Sequence, residues 1–233
     1  MKRFVVTALV CGAALAAGAS PAGATNECRG LMVCVPVAGP WVVVPAASRR
    51  VEFQLQCPRG YVVGGLDAEL SDRAVEVTFL GLTGSPVNPG ITTQREAQFL
   101  GVYAGRARAA TTFRPHIGCI PAAGGGGGAP PNVRRLVFPP GRPVVRRVRN
   151  VRVRGNAKQR ALHACAPGER LLSASHAVAF YTRRPPVPAL VGGVTVSRSV
   201  RTGRVRATIG ATDAIFGTRT IVQLQALCAG VNR

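Results

Sequence analysis

Acidic side chains are scarce in this chain of 233 residues, where nine Asp and Glu stand against 30 Lys and Arg for a formal net charge of +21. Beyond Glu96 the only acids are Glu169 and Asp213, so the second half is a polycation. Carboxylates for glycoside hydrolysis could come only from the cluster Asp67, Glu69, Asp72 and Glu76, which lies on one strand and its turn, not on two sides of a cleft. That cluster lacks the spacing of a calcium-binding EF-hand loop and reads as a solvated strand edge. Aromatic residues make up 5% of the chain with a single Trp, and from Asn132 to Arg160 the only aromatic is Phe138. The most basic stretch therefore has no ladder of rings on which nucleic-acid bases could stack. Lysine is nearly absent as well, with Lys158 the only one beyond the first residues. A codon bias toward Arg accounts for that, but not for the missing acids.

Several motifs are missing. There is no Gly-x-Ser-x-Gly nucleophile elbow, and the run Gly124 to Gly128 is not followed by the Lys-Ser/Thr of a phosphate-cradling loop. His116 has no acidic or nucleophilic neighbour in sequence and reads as an ordinary strand histidine. Past the first residues no Cys-x-x-Cys pair occurs, and the one close histidine is His163, two residues before Cys165, which argues against zinc. The sequence thus predicts no enzyme, no cofactor and no metal. No long segment has the 3.6-residue period of an amphipathic helix, so helix content should be low.

The first residues, Lys2 and Arg3 followed by an apolar run to Ala17 and by Ala22-Gly23-Ala24, have the form of a secretory signal peptide over 1–24. Cys11 falls inside it and is left out of the fold. After it, no apolar stretch approaches the roughly 18 residues that would span a bilayer. A secreted protein, extracellular or associated with the cell envelope, is the expectation.

Six cysteines then remain: Cys28, Cys34, Cys57, Cys119, Cys165 and Cys228. An even number in an exported chain points to disulfides, though six allow many connectivities. A repeat chooses among them. Cys57-Pro58-Arg59-Gly60 opens an interval ending at Cys119, Cys165-Ala166-Pro167-Gly168 opens one ending at Cys228, and the two intervals differ by one residue. Equivalent units should carry equivalent bridges, which gives Cys57 with Cys119, Cys165 with Cys228, and Cys28 with Cys34 as a local loop. Each long bridge would contribute roughly 4 kcal/mol by restricting the unfolded chain.

Between these landmarks the period is two. Trp41 to Val44 is an apolar run bounded by Pro40 and Pro45, a buried strand with Trp41 in the core. Val51, Phe53, Leu55 and Cys57 alternate with polar residues, and Gly64-Gly65 marks a bulge or a close approach of backbone. Ala177 to Tyr181 matches the strand ending at Phe79, with Phe180 as the counterpart of Phe79. Val194 to Arg201 and Arg204 to Gly210 flank Thr202-Gly203 as the clearest hairpin. These features predict an all-β protein of two tandem, disulfide-stapled, antiparallel β-sandwich-like modules from an internal duplication. Residues 25–121 form the first, 122–133 a Gly/Pro-rich linker and 134–233 the second, basic module.

Arg146, Arg147, Arg149, Arg152 and Arg154 are the densest cationic stretch. Valines alternate with arginines from Val151 to Arg154, and Asn150 puts Val148 out of phase, which predicts a bulge or bend there and a row of guanidinium groups on one face. Such a row suits an anionic envelope polymer or another polyanion, because each guanidinium fork donates two parallel hydrogen bonds to phosphate or carboxylate. Extracellular non-specific nucleic-acid binding is the alternative, and a secreted enzyme built from residues distant in sequence is a more remote one. An edge strand guarded by charge is the structural explanation of the same residues.

Overall fold

The computed structural model describes residues 25–31, 33–46, 50–80, 95–105, 110–122 and 144–229. Residues 1–24, expected as a signal peptide, the loop from Ser85 to Gly90 and nearly all of 122–133, expected as a linker, lie outside them. Among the described residues thirteen strands run in chain order: β1 Val35–Ala38, β2 Trp41–Val44, β3 Val51–Gln56, β4 Tyr61–Leu70, β5 Val75–Leu80, β6 Glu96–Tyr103 and β7 Thr111–Pro121 in the first half. In the second half follow β8 Val144–Val153, β9 Ala157–Ala164, β10 Arg170–Phe180, β11 Val194–Arg201, β12 Arg204–Ala211 and β13 Thr220–Ala229. The only helical pieces among the described residues are α1, Pro188–Gly192, and a 3-10 turn at Asp213–Ile215. None is long and apolar enough to cross a membrane.

The largest sheet is antiparallel and crosses the whole molecule in the order β4, β7, then β1 and β2 end to end, β10, β13 and β8. β1 and β2 are one interrupted strand. Gly39 and Pro40 break it, because Pro40 has no N–H to donate and a side chain on Gly39 would run into Pro115. The register against β7 slips by one residue there, from Ala38 opposite His116 to Val42 opposite Phe113. β2 is also the joint between halves, pairing Trp41 with Phe180 and Val42 with Ala179 of β10.

A three-stranded sheet lies on each face of this central sheet, ordered β3-β6-β5 on one and β9-β12-β11 on the other. Successive residues of a strand point to opposite faces, so a strand buried on both sides reads as an unbroken apolar run. β2 does so: Val42 and Val44 enter a core with Phe53, Phe99, Phe113 and Ile117, while Val43 packs on a second core with Phe180, Ile209, Val222 and Leu224. The first core also takes Ala177, Ala179 and Ile221 from the second half. Trp41 is buried.

Each half repeats one pairing scheme. β4 pairs with β7 as β10 pairs with β13, and β6 lies between β3 and β5 as β12 lies between β9 and β11. The turns after Cys57 and Cys165 match as well, with Gly60 at φ 82° and Gly168 at φ 81°. The matching of Ala177–Tyr181 to the segment ending at Phe79 is corrected by this scheme. β10 stays paired along its full length, where β4 stops at Leu70 and turns through Ser71–Ala74, so β11, not the end of β10, stands where β5 stands. Disulfides join Cys28 to Cys34, Cys57 to Cys119 and Cys165 to Cys228.

Beyond the β2 to β10 pairing, the halves meet at a buried polar seam. The free edge of β3 is met by glutamines of β13 in place of a neighbouring strand. Gln223 accepts from the Gln54 N–H at 2.6 Å and donates to the Gln54 carbonyl at 3.0 Å and to Asn150 Oδ1 at 3.0 Å. Gln225 donates to the Glu52 carbonyl and to Gln223, and accepts from Gln98 at 2.8 Å. Every amide proton and oxygen of the two is used, which is what their burial requires. At the far side of the sheet the Cys28–Cys34 loop lies on β4 and β7. The Glu27 carbonyl occupies the space that a Cβ on Gly65 or Gly118 would fill, and β4 shifts register between Val63 and Gly65.

Candidate anion-binding face

β8 is the edge strand of the central sheet and runs in unbroken register with β13 from Val144 to Val153. No bulge forms at Asn150, because its side chain accepts the hydrogen bond from Gln223 and the strand gains a partner by staying in phase. The arginines consequently divide between faces instead of forming a row on one, with Arg147 and Arg149 on one side and Arg146 and Arg152 on the other. Arg146 points to the seam, where it meets Glu52 at 2.5 Å and Gln225 at 2.9 Å. Arg147, on the opposite face, forms a two-pronged bond with Glu169 at 2.6 and 2.5 Å. That bond, with the Ala166 N–H, holds the Glu169 carboxyl down at about 2 and raises the Arg147 guanidinium above its ordinary value. Arg149 donates to the Leu162 carbonyl on the edge of β9. Arg152 and Arg154 are exposed, and their guanidinium groups have no partner among the described residues.

A second cationic surface is formed by the outer face of β9-β12-β11. Ala161, Val205, Ala207, Ile209 and Val194 are buried against the central sheet, so strand alternation sends the residues between them outward. The register places Lys158, Gly210 and Thr195 in one row, Arg160, Thr208 and Ser197 in the next, then Leu162, Arg206 and Ser199, then Ala164, Arg204 and Arg201. Neighbours are about 4.8 Å apart across the strands and about 6.8 Å apart along them. The face holds five cations and four hydroxyls, and no acid occurs in any of the three strands. Thr202 and Gly203, both at positive φ, close the β11–β12 hairpin in two residues. Gly210 leaves a depression of about 550 Å³ between Lys158, Thr195, Ser197 and Thr208. A Cβ there would come 2.7 Å from Thr195 Oγ1.

The array presents charged forks and hydroxyls as hydrogen-bond donors to anions, and neither a carboxylate nor an aromatic ring stands among its outward residues. The alternation that creates it was present in the sequence as the polar half of the hairpin. What singles it out is β9, which adds Lys158 and Arg160 by a pairing that sequence spacing does not reveal.

Two other groups of titratable side chains lie close together in the fold. His116, buried in β7, lies 3.7 Å from buried Glu27 and 3.8 Å from Glu69, and Arg114 reaches Glu69 at 3.9 Å and the Gly39 carbonyl at 3.0 Å. Asp67 stands opposite His116 in the register and accepts from the Asn26 N–H at 2.5 Å. Half of the acidic cluster thus fastens the N-terminal loop to the sheet, whereas Asp72 caps the Ser71–Ala74 turn by accepting from the Ala74 N–H. The reading of these acids as a solvated edge missed that link, which joins residues 41 (Asn26 and Asp67) to 89 (Glu27 and His116) positions apart. Cys165, Glu169 and Cys228 also bring potential ligand atoms within 4.8 Å of one another, but both sulfurs are in a disulfide and Glu169 is bound to Arg147. Comparison of the chain with protein-family models, with curated proteins and with solved structures gives no match.

Proposed function

We propose that this chain is a secreted, non-catalytic binding protein, and that the outer face of β9-β12-β11 holds an anionic polymer of the cell envelope or the surrounding medium. The observation that carries the reading is the array of Lys158, Arg160, Arg201, Arg204 and Arg206 among serines and threonines, on three strands without one acid. Arginine forks and hydroxyls both donate to phosphate, sulfate and carboxylate oxygens, and a sheet fixes their spacing in advance. Nucleic acid would be held there by backbone charge alone, for want of rings to stack on. Arg152 and Arg154 add exposed positive charge at the edge of the central sheet, Arg152 on the face turned away from β9-β12-β11, while Arg146 and Arg147 belong to the fold. The 1–24 leader and three disulfides support export. The repeated pairing scheme and the matching Gly60 and Gly168 turns support an origin by duplication.

The test is retention on immobilised heparin along a salt gradient. Replacing Arg160, Arg204 and Arg206 together by Gln should elute the protein at clearly lower salt and flatten the salt dependence by about three counterions. Replacing Arg152 and Arg154 should have a smaller effect in the same direction. Retention of the triple variant at the wild-type position would end the proposal.

A further inference from the structure

All three connections of the second half at one end of the sheets, residues 154–156, 181–193 and 212–219, come together as a single tip. α1 lies against the 3-10 turn, so that a side chain on Gly193 would meet Ala214 and Ile215 at 3.1 Å, and the Arg219 carbonyl accepts from the Tyr181 N–H. The tip carries Phe216 at 82% exposure and Val187 at 62%. Phe216 is the most exposed large apolar side chain among the described residues.

Phe216 is held there by a rigid turn. Ile215 beside it is buried, Phe216 donates its N–H to the Asp213 carbonyl at 2.8 Å, Thr218 donates to Ile215 at 3.0 Å, and Gly217 turns the chain at φ 73°. The Val187 loop is stiffened by Pro185, Pro186 and Pro188 and by the Thr182 hydroxyl bonded to the Arg184 carbonyl at 2.7 Å. Tyr181 is half out of the fold with Arg219 stacked on it at 4.1 Å. Around these apolar points stand Arg154, Arg183, Arg184 and Arg219, all exposed, and Asp213 is the only acid in the three connections.

We infer that this tip docks on the surface of a bilayer containing anionic lipid, with Phe216 and Val187 entering the acyl boundary and the four arginines on the headgroups. Protruding apolar points ringed by cations fit a fluid surface, which closes around each point separately, and each cation adds attraction to an anionic leaflet. A protein partner would need a continuous complementary surface, and here the apolar points stand on two different loops with charge between them. The tip adjoins the outer face of β9-β12-β11 at Asn156, Gly193 and Thr212, but Phe216, Val187, Arg183 and Arg184 lie outside the rows of that face, so replacing them tests the tip alone.

The test uses the full protein with vesicles of phosphatidylcholine alone or mixed with phosphatidylglycerol. Phe216→Trp adds an exposed indole to a chain whose one other Trp is buried. Its emission should shift to shorter wavelength with the mixed vesicles and be quenched by brominated acyl chains. Phe216→Ser should lower affinity for the mixed vesicles about tenfold or more while leaving heparin retention unchanged, and Arg183→Gln with Arg184→Gln should weaken vesicle binding and reduce its salt dependence. Wild-type vesicle binding by Phe216→Ser would overturn the inference, since charge alone would then explain it. So would an indole that never shifts with lipid, including one that shifts only when a protein partner is added.

Discussion

At the scale of single residues, charge in this protein divides by whether an acid waits opposite. Arg147 and Glu169 satisfy each other, and because the Glu169 carboxyl titrates at about 2 when folded against an ordinary 4.5, the pair favours the folded state above about pH 4.5. That contribution should vanish as pH falls from 4.5 to 2. Melting curves of the wild type and of Glu169→Gln should therefore differ most near neutral pH and converge at pH 2, and curves that stay parallel would deny the pair any role. The sequence exposed the arginines but could not sort them, because Glu52 and Glu169 reach Arg146 and Arg147 only through folding. Trp41 and the cysteines were easier to place. An apolar run between prolines and a repeated interval are local properties, whereas an ion pair across the seam is not.

Among the elements, strands were legible wherever the period of two was clean, as in β3 and in the β11–β12 hairpin, whose Val196 opposite Ile209 and Val200 opposite Val205 follow the pattern. Asn150 misled because a polar residue out of phase suggests a bulge, and nothing in β8 itself announces that Gln223 will bond to it. The two glutamines of β13 were likewise invisible as a seam, since Gln in a strand ordinarily faces water. Their burial leads to a prediction. Gln223→Leu removes the partners of the Gln54 N–H and carbonyl, and leaving such buried groups unpaired should cost about 2 to 3 kcal/mol. The lowered urea midpoint should appear with an unchanged slope, and a variant as stable as wild type would mean that water takes the place of the amide.

For the whole molecule, the decisive fact is that one sheet passes through both halves. β2 gives one edge to β7 and the other to β10, and Ala177, Ala179 and Ile221 of the second half belong to the core beneath β3 and β6. Residues 134–233 expressed alone should therefore bind the dye ANS and self-associate, with the buried faces of Ile221, Gln223 and Gln225 uncovered. A monomeric, cooperatively melting second half would show that the shared sheet adds little. Cysteine spacing cannot reveal this joint, because no bridge crosses between the halves.

The joint between β2 and β10 is only two residue pairs long, and its two sides are more than a hundred positions apart in the chain. Contacts that remote form late, after each half has paired its own strands and closed its own bridges. In that interval β2 offers an open edge to whichever β10 arrives first, and at high concentration the first arrival belongs to another molecule. Refolding from dilute and from concentrated solution should thus part ways, the one to monomer and the other to a domain-swapped dimer in which two chains exchange halves without a new contact being made.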